Sequence, residues 1–173
     1  MSADLPELID PWRALETEAR YAGSLRLARM ARLRKSLREA EGEARFTLAF
    51  SRDLEGRGLV QGEIQARLIL TCQRCLEALD LPVQAPLALA LVAGLDEARL
   101  LPEDLDPLVA TDEPLPLADL IEDELLLALP LIPMHDPGAC PQARGQGEEG
   151  GAHQREEAPR PFAILSVLKG GKA

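Results

Sequence analysis

Cys72 and Cys75 stand two residues apart in the stretch "LTCQRCLE". That spacing presents two thiolates on one tight turn, which is half of what a tetrahedral metal site requires. The nearest other strong ligands in type are His135 and Cys140 in "HDPGAC", and with the first pair they make a Cys3His set of the kind zinc accepts. The two halves are some sixty residues apart and a second CxxC is missing, so a bland reading stands beside the metal one: three partly buried thiols and a surface histidine. A thioredoxin-like redox pair is a third reading. It needs the CxxC at a helix N-terminus after a strand, where the dipole lowers the thiol pKa, whereas here strand-like patterns flank the pair on both sides.

A second chemical possibility lies in "RLARMARLRKSLR", residues 26–38, where six of thirteen side chains are Arg or Lys. Arg26, Arg29, Arg32 and Lys35 would line one side of a helix and could neutralise phosphates or bind a partner. The alternative is a charged solvent face over an apolar stripe. Glu122, Asp123 and Glu124 are adjacent, and consecutive helical residues diverge by about 100°, so they cannot converge on one substrate atom. They read as a solvated first turn. A Gly-rich phosphate loop, a nucleophile elbow and an H-E-x-x-H motif are all missing, and the chain has 2 histidines. Hydrolytic or kinase chemistry therefore has no visible machinery.

The elements that must position these residues follow from periodicity. Ser24 is a plausible N-cap, and Leu27, Met30, Leu33 and Leu37 recur at spacings of three and four, which predicts a helix over 24–38. Phe46, Leu48 and Phe50 alternate, "GRG" breaks the chain, and Ile64, Ala66, Leu68 and Leu70 alternate again, which predicts an antiparallel hairpin. "LDLPVQAPLALALVAG" predicts a third strand with Pro82 and Pro86 at an edge or bulge. The CxxC then sits in the turn between two strands. Residues 102–116, rich in Pro and acid, read as a surface connection. "LADLIEDELLLALPLIP" predicts a helix over 117–129 ended by Pro130.

At 173 residues, the chain suits one domain with an appended segment. Hydrophobic residues make up 46% but aromatics 3%, so the core must be built from Leu, Val, Ile and Ala. An apolar run of the roughly 20 residues that cross a bilayer is missing, as is a signal-peptide pattern, and the expectation is a cytoplasmic protein with no membrane partner. Three cysteines are poor material for a disulfide framework. The formal charge of −10 repels phosphate at long range and favours basic proteins, with the 26–38 run as the local exception. The division expected is an α+β domain with an N-terminal arm over 1–140, a flexible acidic linker over 141–159, and a tail over 160–173 that docks through Phe162, Leu165 and Leu168.

Three stretches, "LTCQRCLE", "DLIEDELLLALPLIPMH" with its trailing Cys, and "PFAILSVLK", resemble the YceD family of bacteria and plastids, described as large ribosomal RNA subunit accumulation proteins. "LIDPWRALETEARYAG" and "LPEDLDPL" extend the resemblance through most of the chain, and the positions it carries over are Cys72 and Cys75 in the CxxC, Glu122, Asp123 and Glu124 in the helix, His135, and Phe162 in the tail. The resemblance implies a non-enzymatic role in synthesis, processing or stability of large-subunit (23S) ribosomal RNA, with precursor RNA or basic ribosomal proteins as partners. Two other classes compete: an RNA-binding regulator working through the Arg-rich helix, and a cysteine-based metal or redox protein. The fold expected is α+β: an antiparallel sheet over 44–93 packed by two or three helices, with a flexible acidic insert and a docking tail.

Overall fold

The computed structural model describes residues 5–111 and 113–140. The expected linker over 141–159 and the tail with Phe162, Leu165 and Leu168 lie outside the described residues. Strict alternation builds the centre. In β3 (Glu43–Arg52), Ala44, Phe46, Leu48 and Phe50 are buried while Glu43, Arg45 and Thr47 are exposed. β4 (Gly58–Thr71) and β5 (Ala78–Val92) continue this pattern as long antiparallel partners in register from Gly58↔Leu91 to Thr71↔Ala78. Burying such a Leu, Val, Ile or Phe side chain contributes roughly 1.5–3 kcal/mol each, enough to fix which face turns inward.

The hairpin between β3 and β4 closes on Asp53, whose carboxylate accepts from the Arg57 backbone N–H at 2.8 Å, while Gly56 takes φ +81. Gly62 is needed for a different reason: a Cβ there would lie 1.9 Å from the Thr47 carbonyl oxygen, so only glycine permits the strands to approach so closely. β2 (Arg20–Arg26) pairs antiparallel with β3, and β6 (Asp106–Val109) pairs parallel with β5, giving the order β2-β3-β4-β5-β6. The sheet is therefore mixed, not wholly antiparallel, and both edge strands lie outside the expected 44–93 span. β6 is half-exposed or exposed throughout and contains Pro107, so it carries no alternating signal. Pro82 and Pro86 stand in β5 before Leu89, where β6 begins, in the part with a neighbour on one side only. A missing N–H is tolerated there.

One face of the sheet carries the core. α1 (Pro11–Glu16), capped by the Asp10 carboxylate on the Arg13 N–H at 3.0 Å, contributes Ala14. α3 (Leu117–Leu127) contributes Leu117, Leu120, Ile121 and Leu125, a 3.6-residue stripe, and ends before Pro130 as expected. A two-stranded ribbon of β1 (Leu8–Ile9) and β7 (Leu115–Pro116) leads into α3, and a short helix, α2 (Leu95–Ala98), follows β5. The opposite face of the sheet is polar, with Arg45, Gln61, Gln65, Arg67 and Gln84 exposed.

The helix expected over 24–38 does not form. Ser24 belongs to β2, and its hydroxyl donates to Glu43 at 2.9 Å instead of capping a helix. Leu27–Arg29 and Leu33–Lys35 are single 3-10 turns, separated at Met30, whose backbone is extended. The spacing of Leu27, Met30 and Leu33 is three throughout, and all three are buried, so the apolar stripe faces the core by means of turns with three residues each. A tertiary acceptor intervenes: the Glu122 carboxylate accepts the backbone N–H groups of Arg32 at 2.6 Å and Leu33 at 2.8 Å. The solvated reading of Glu122 is corrected by the same contacts. It lies in the second turn of α3, is 4% exposed, and also accepts from Arg32 Nε at 3.2 Å. A buried carboxylate stays in place when it is fully hydrogen-bonded.

Candidate metal centre

The turn between β4 and β5 is built from Cys72 to Glu77. The Cys72 N–H donates to the Glu77 carbonyl at 2.9 Å, and the Leu76 N–H donates to the Cys72 carbonyl at 2.9 Å. Leu76 is driven to φ 61, the left-handed region that costs a residue with a Cβ about 1–2 kcal/mol. That conformation folds the chain back sharply and leaves the Cys72 and Cys75 side chains on the same turn. The Gln73 N–H donates to the Pro133 carbonyl at 2.8 Å, which draws the segment after α3 across the turn.

The four predicted ligand residues come together there. One ligand atom from each of Cys72, Cys75, His135 and Cys140 lies within 4.8 Å of the others. Cys72 and Cys140 place their sulfurs 3.8 Å apart, and His135 Nδ1 lies 3.4 Å from the Cys75 sulfur and 3.7 Å from that of Cys140. A tetrahedron with zinc–sulfur bonds of about 2.3 Å has an S···S edge of about 3.8 Å, and an S···N edge of about 3.5 Å follows when zinc–nitrogen is about 2.05 Å. The Cys72–Cys140, Cys75–His135 and Cys140–His135 separations lie close to those edges, and the whole set stays within 4.8 Å. All three cysteines are free thiols, Cys72 buried and the others half-buried.

Proton placement favours ligation too. His135 Nε2 lies 3.0 Å from the Ala78 carbonyl oxygen, and a carbonyl can only accept, so Nε2 carries the proton and Nδ1 presents its lone pair to the sulfurs. Burial pushes the Cys72 thiol up, but the N–H groups of Cys75, His135 and Arg74 outweigh it and bring the pKa down to about 5. The backbone N–H of Glu77 donates to the Cys75 sulfur and lowers its pKa, yet burial and the neighbouring sulfurs of Cys72 and Cys140 prevail and hold it above its ordinary value. One thiolate is thus favoured and the next disfavoured in its presence, as expected of like charges gathered at close range.

The basic residues are not gathered in this way. Arg26 ends β2, Arg29 and Lys35 sit in the two 3-10 turns, and all three are exposed with no ion pair among the described residues. Arg32 is committed to Glu122 and Asp123. The side chain that sequence reasoning passed over is Arg74, inside the CxxC itself, which contacts Cys140. A cation written between two thiolates was the available signal.

Two comparisons bear on this arrangement. The family described as Large ribosomal RNA subunit accumulation protein YceD matches residues 60–169, a span that holds all four ligand residues. The chain is also similar to the Large ribosomal RNA subunit accumulation protein YceD of Haemophilus influenzae, with 33% identity over 168 residues, covering 95% of this chain and 96% of the relative. No solved structure matches it.

Proposed function

The chain belongs to the YceD family, and from that premise we propose that it is a non-enzymatic factor supporting accumulation of large-subunit (23S) ribosomal RNA, built around a structural zinc site. The observation that carries the zinc reading is the convergence of four ligand atoms from segments sixty residues apart. Cys72, Cys75, His135 and Cys140 would all be protein ligands, which fills a tetrahedral shell and leaves no position for water or substrate, the pattern of structural and not catalytic zinc. Bound zinc would supply a crosslink between the β4–β5 turn and the segment after α3. Its binding energy would then be folding energy for residues 133–140, a stretch with no secondary structure of its own.

The partner reading rests on charge. Between residues 12 and 52 the chain has ten basic and five acidic side chains, although the whole carries −10. Of these bases, Arg26 at the end of the edge strand β2 and Arg29 and Lys35 in the 3-10 turns are exposed and make no ion pair among the described residues. Exposed cationic side chains of this kind suit the phosphates of precursor RNA. The remaining acidic surface suits basic ribosomal proteins.

The test has two parts. Zinc content of the full chain purified without added metal is expected at one equivalent per chain, and loss of zinc from a Cys72→Ser variant is expected to follow. Precursor RNA crosslinked in cells is expected to depend on Arg26 and Arg29, with the RNA affinity falling steeply as salt rises. A chain that co-purifies with basic ribosomal proteins and shows no salt-dependent RNA affinity would assign the partner to protein.

A further inference from the structure

Arg74 is carried by one half of the ligand set and holds the other half. Its Nε donates to the Cys140 sulfur at 3.0 Å, and Nη2 donates to the carbonyl of His135 at 2.8 Å and to that of Asp136 at 3.3 Å. All three acceptors lie in the segment that must approach the β4–β5 turn. A guanidinium is a planar fork whose nitrogens have fixed relative positions, so one side chain sets both the sulfur and the backbone that carries the histidine. Charge points the same way. Three thiolates and one neutral imidazole around a divalent cation carry one net negative charge, and Arg74 places one positive charge against a sulfur of that set.

We propose that Arg74 is the positioning residue of the Cys72–Cys75–His135–Cys140 site: it fixes Cys140 and the 135–136 backbone in ligating geometry and balances the charge of the filled site. The proposal rests on the metal reading above and adds a role to it. Residues that orient ligands from outside the coordination shell typically change metal affinity 10- to 100-fold when removed. A hydrogen bond to a thiolate also withdraws electron density from the sulfur, so its loss changes the energy of thiolate-to-metal charge transfer.

The full chain is titrated with cobalt(II), followed by its charge-transfer absorption, and with zinc against a chelator of known affinity. Wild type is expected to bind one metal per chain. Arg74→Ala is expected to weaken zinc binding about 10- to 100-fold and to shift the cobalt charge-transfer band. Arg74→Lys keeps the positive charge on an exposed turn and guards against a folding failure; it is expected to recover part of the lost affinity. If wild type binds metal and Arg74→Ala binds as tightly with an unchanged band, the role of Arg74 falls while the metal site stands. Weakened binding with an unchanged band, or with no recovery by lysine, would assign Arg74 to the fold alone and overturn the proposal. If wild type takes up neither metal, both readings fall together.

Discussion

Residues 24–38 and 117–127 carry nearly the same apolar signature, leucines or methionine at spacings of three and four, yet one becomes a strand end with two isolated turns and the other a continuous helix. The difference lies in where the backbone N–H groups find acceptors. In α3 they find carbonyls four residues back. In the N-terminal segment, residues 20–26 are taken by β3, and the N–H groups of Arg32 and Leu33 are taken by Glu122, a side chain of α3 itself. The helix thus ends the helical option of the segment packed against it. Periodicity says which side chains of the N-terminal segment turn inward: Leu27, Met30 and Leu33 are as buried as Leu117 and Ile121, and Leu37 is half-buried. It does not say which hydrogen bonds deliver them there.

The sharpest way to break this comparison is Glu122→Ala. Two buried or part-buried backbone donors would lose their acceptor, each at about 1–3 kcal/mol. Chemical denaturation should show a loss of about 2–6 kcal/mol in total, the largest effect expected from either segment. Retained stability would mean that the 3-10 turns stand without α3. Leu33→Ala comes next. Leu33, the first residue of the second turn, is fully buried in the core cluster that α3 also joins, and removing it should cost about 2–5 kcal/mol. A cost below that of an exposed leucine in the same assay would show that the segment can rewind.

Arg32→Ala should cost less than Glu122→Ala, because the guanidinium side chain is 48% exposed and the backbone N–H groups that hold Glu122 survive the substitution. A loss equal to that of Glu122→Ala would move the keystone from the backbone contacts to the ion pair. The smallest effect is expected at Glu124, where burial, helped by the carboxylates of Asp106 and Asp123, holds the carboxyl above its ordinary range. A raised carboxylate favours the folded chain in its protonated form, so its contribution is present in acid and lost as pH rises through the folded pKa. Glu124→Gln should therefore be slightly more stable than wild type at neutral pH, and this advantage should vanish in acid. Thermal melts across that pH range would check both parts.

The candidate site was legible in part. Cys72, Cys75, His135 and Cys140 could be named from residue type alone, since few other strong ligands exist in the chain, and the CxxC could be placed in a turn because alternation flanked it. Arg74 was visible but unremarkable, because nothing local says that a side chain reaches over sixty residues to Cys140. The basic run was visible too, but its exposed face was drawn on a helix, whereas Arg26, Arg29 and Lys35 are presented by a strand end and two turns, and Arg32 is drawn to α3.

By itself the sequence determined the alternating inward faces of β3 and most of β4, the existence of β5 and α3, the turn that holds the CxxC, and the identity of the possible ligands. These depend on apolar period and residue chemistry, which are local properties. Tertiary structure alone decided the edge strands β2 and β6, the loss of the 24–38 helix, the burial of Glu122, and the meeting of Cys72 and Cys75 with His135 and Cys140. Each of these turns on a hydrogen bond or contact whose partner lies far away in sequence, between Glu43 and Ser24, Glu122 and Leu33, Gln73 and Pro133, or Arg74 and Cys140. A backbone donor has one proton to give, and which of several acceptors receives it is settled only when the chain has packed.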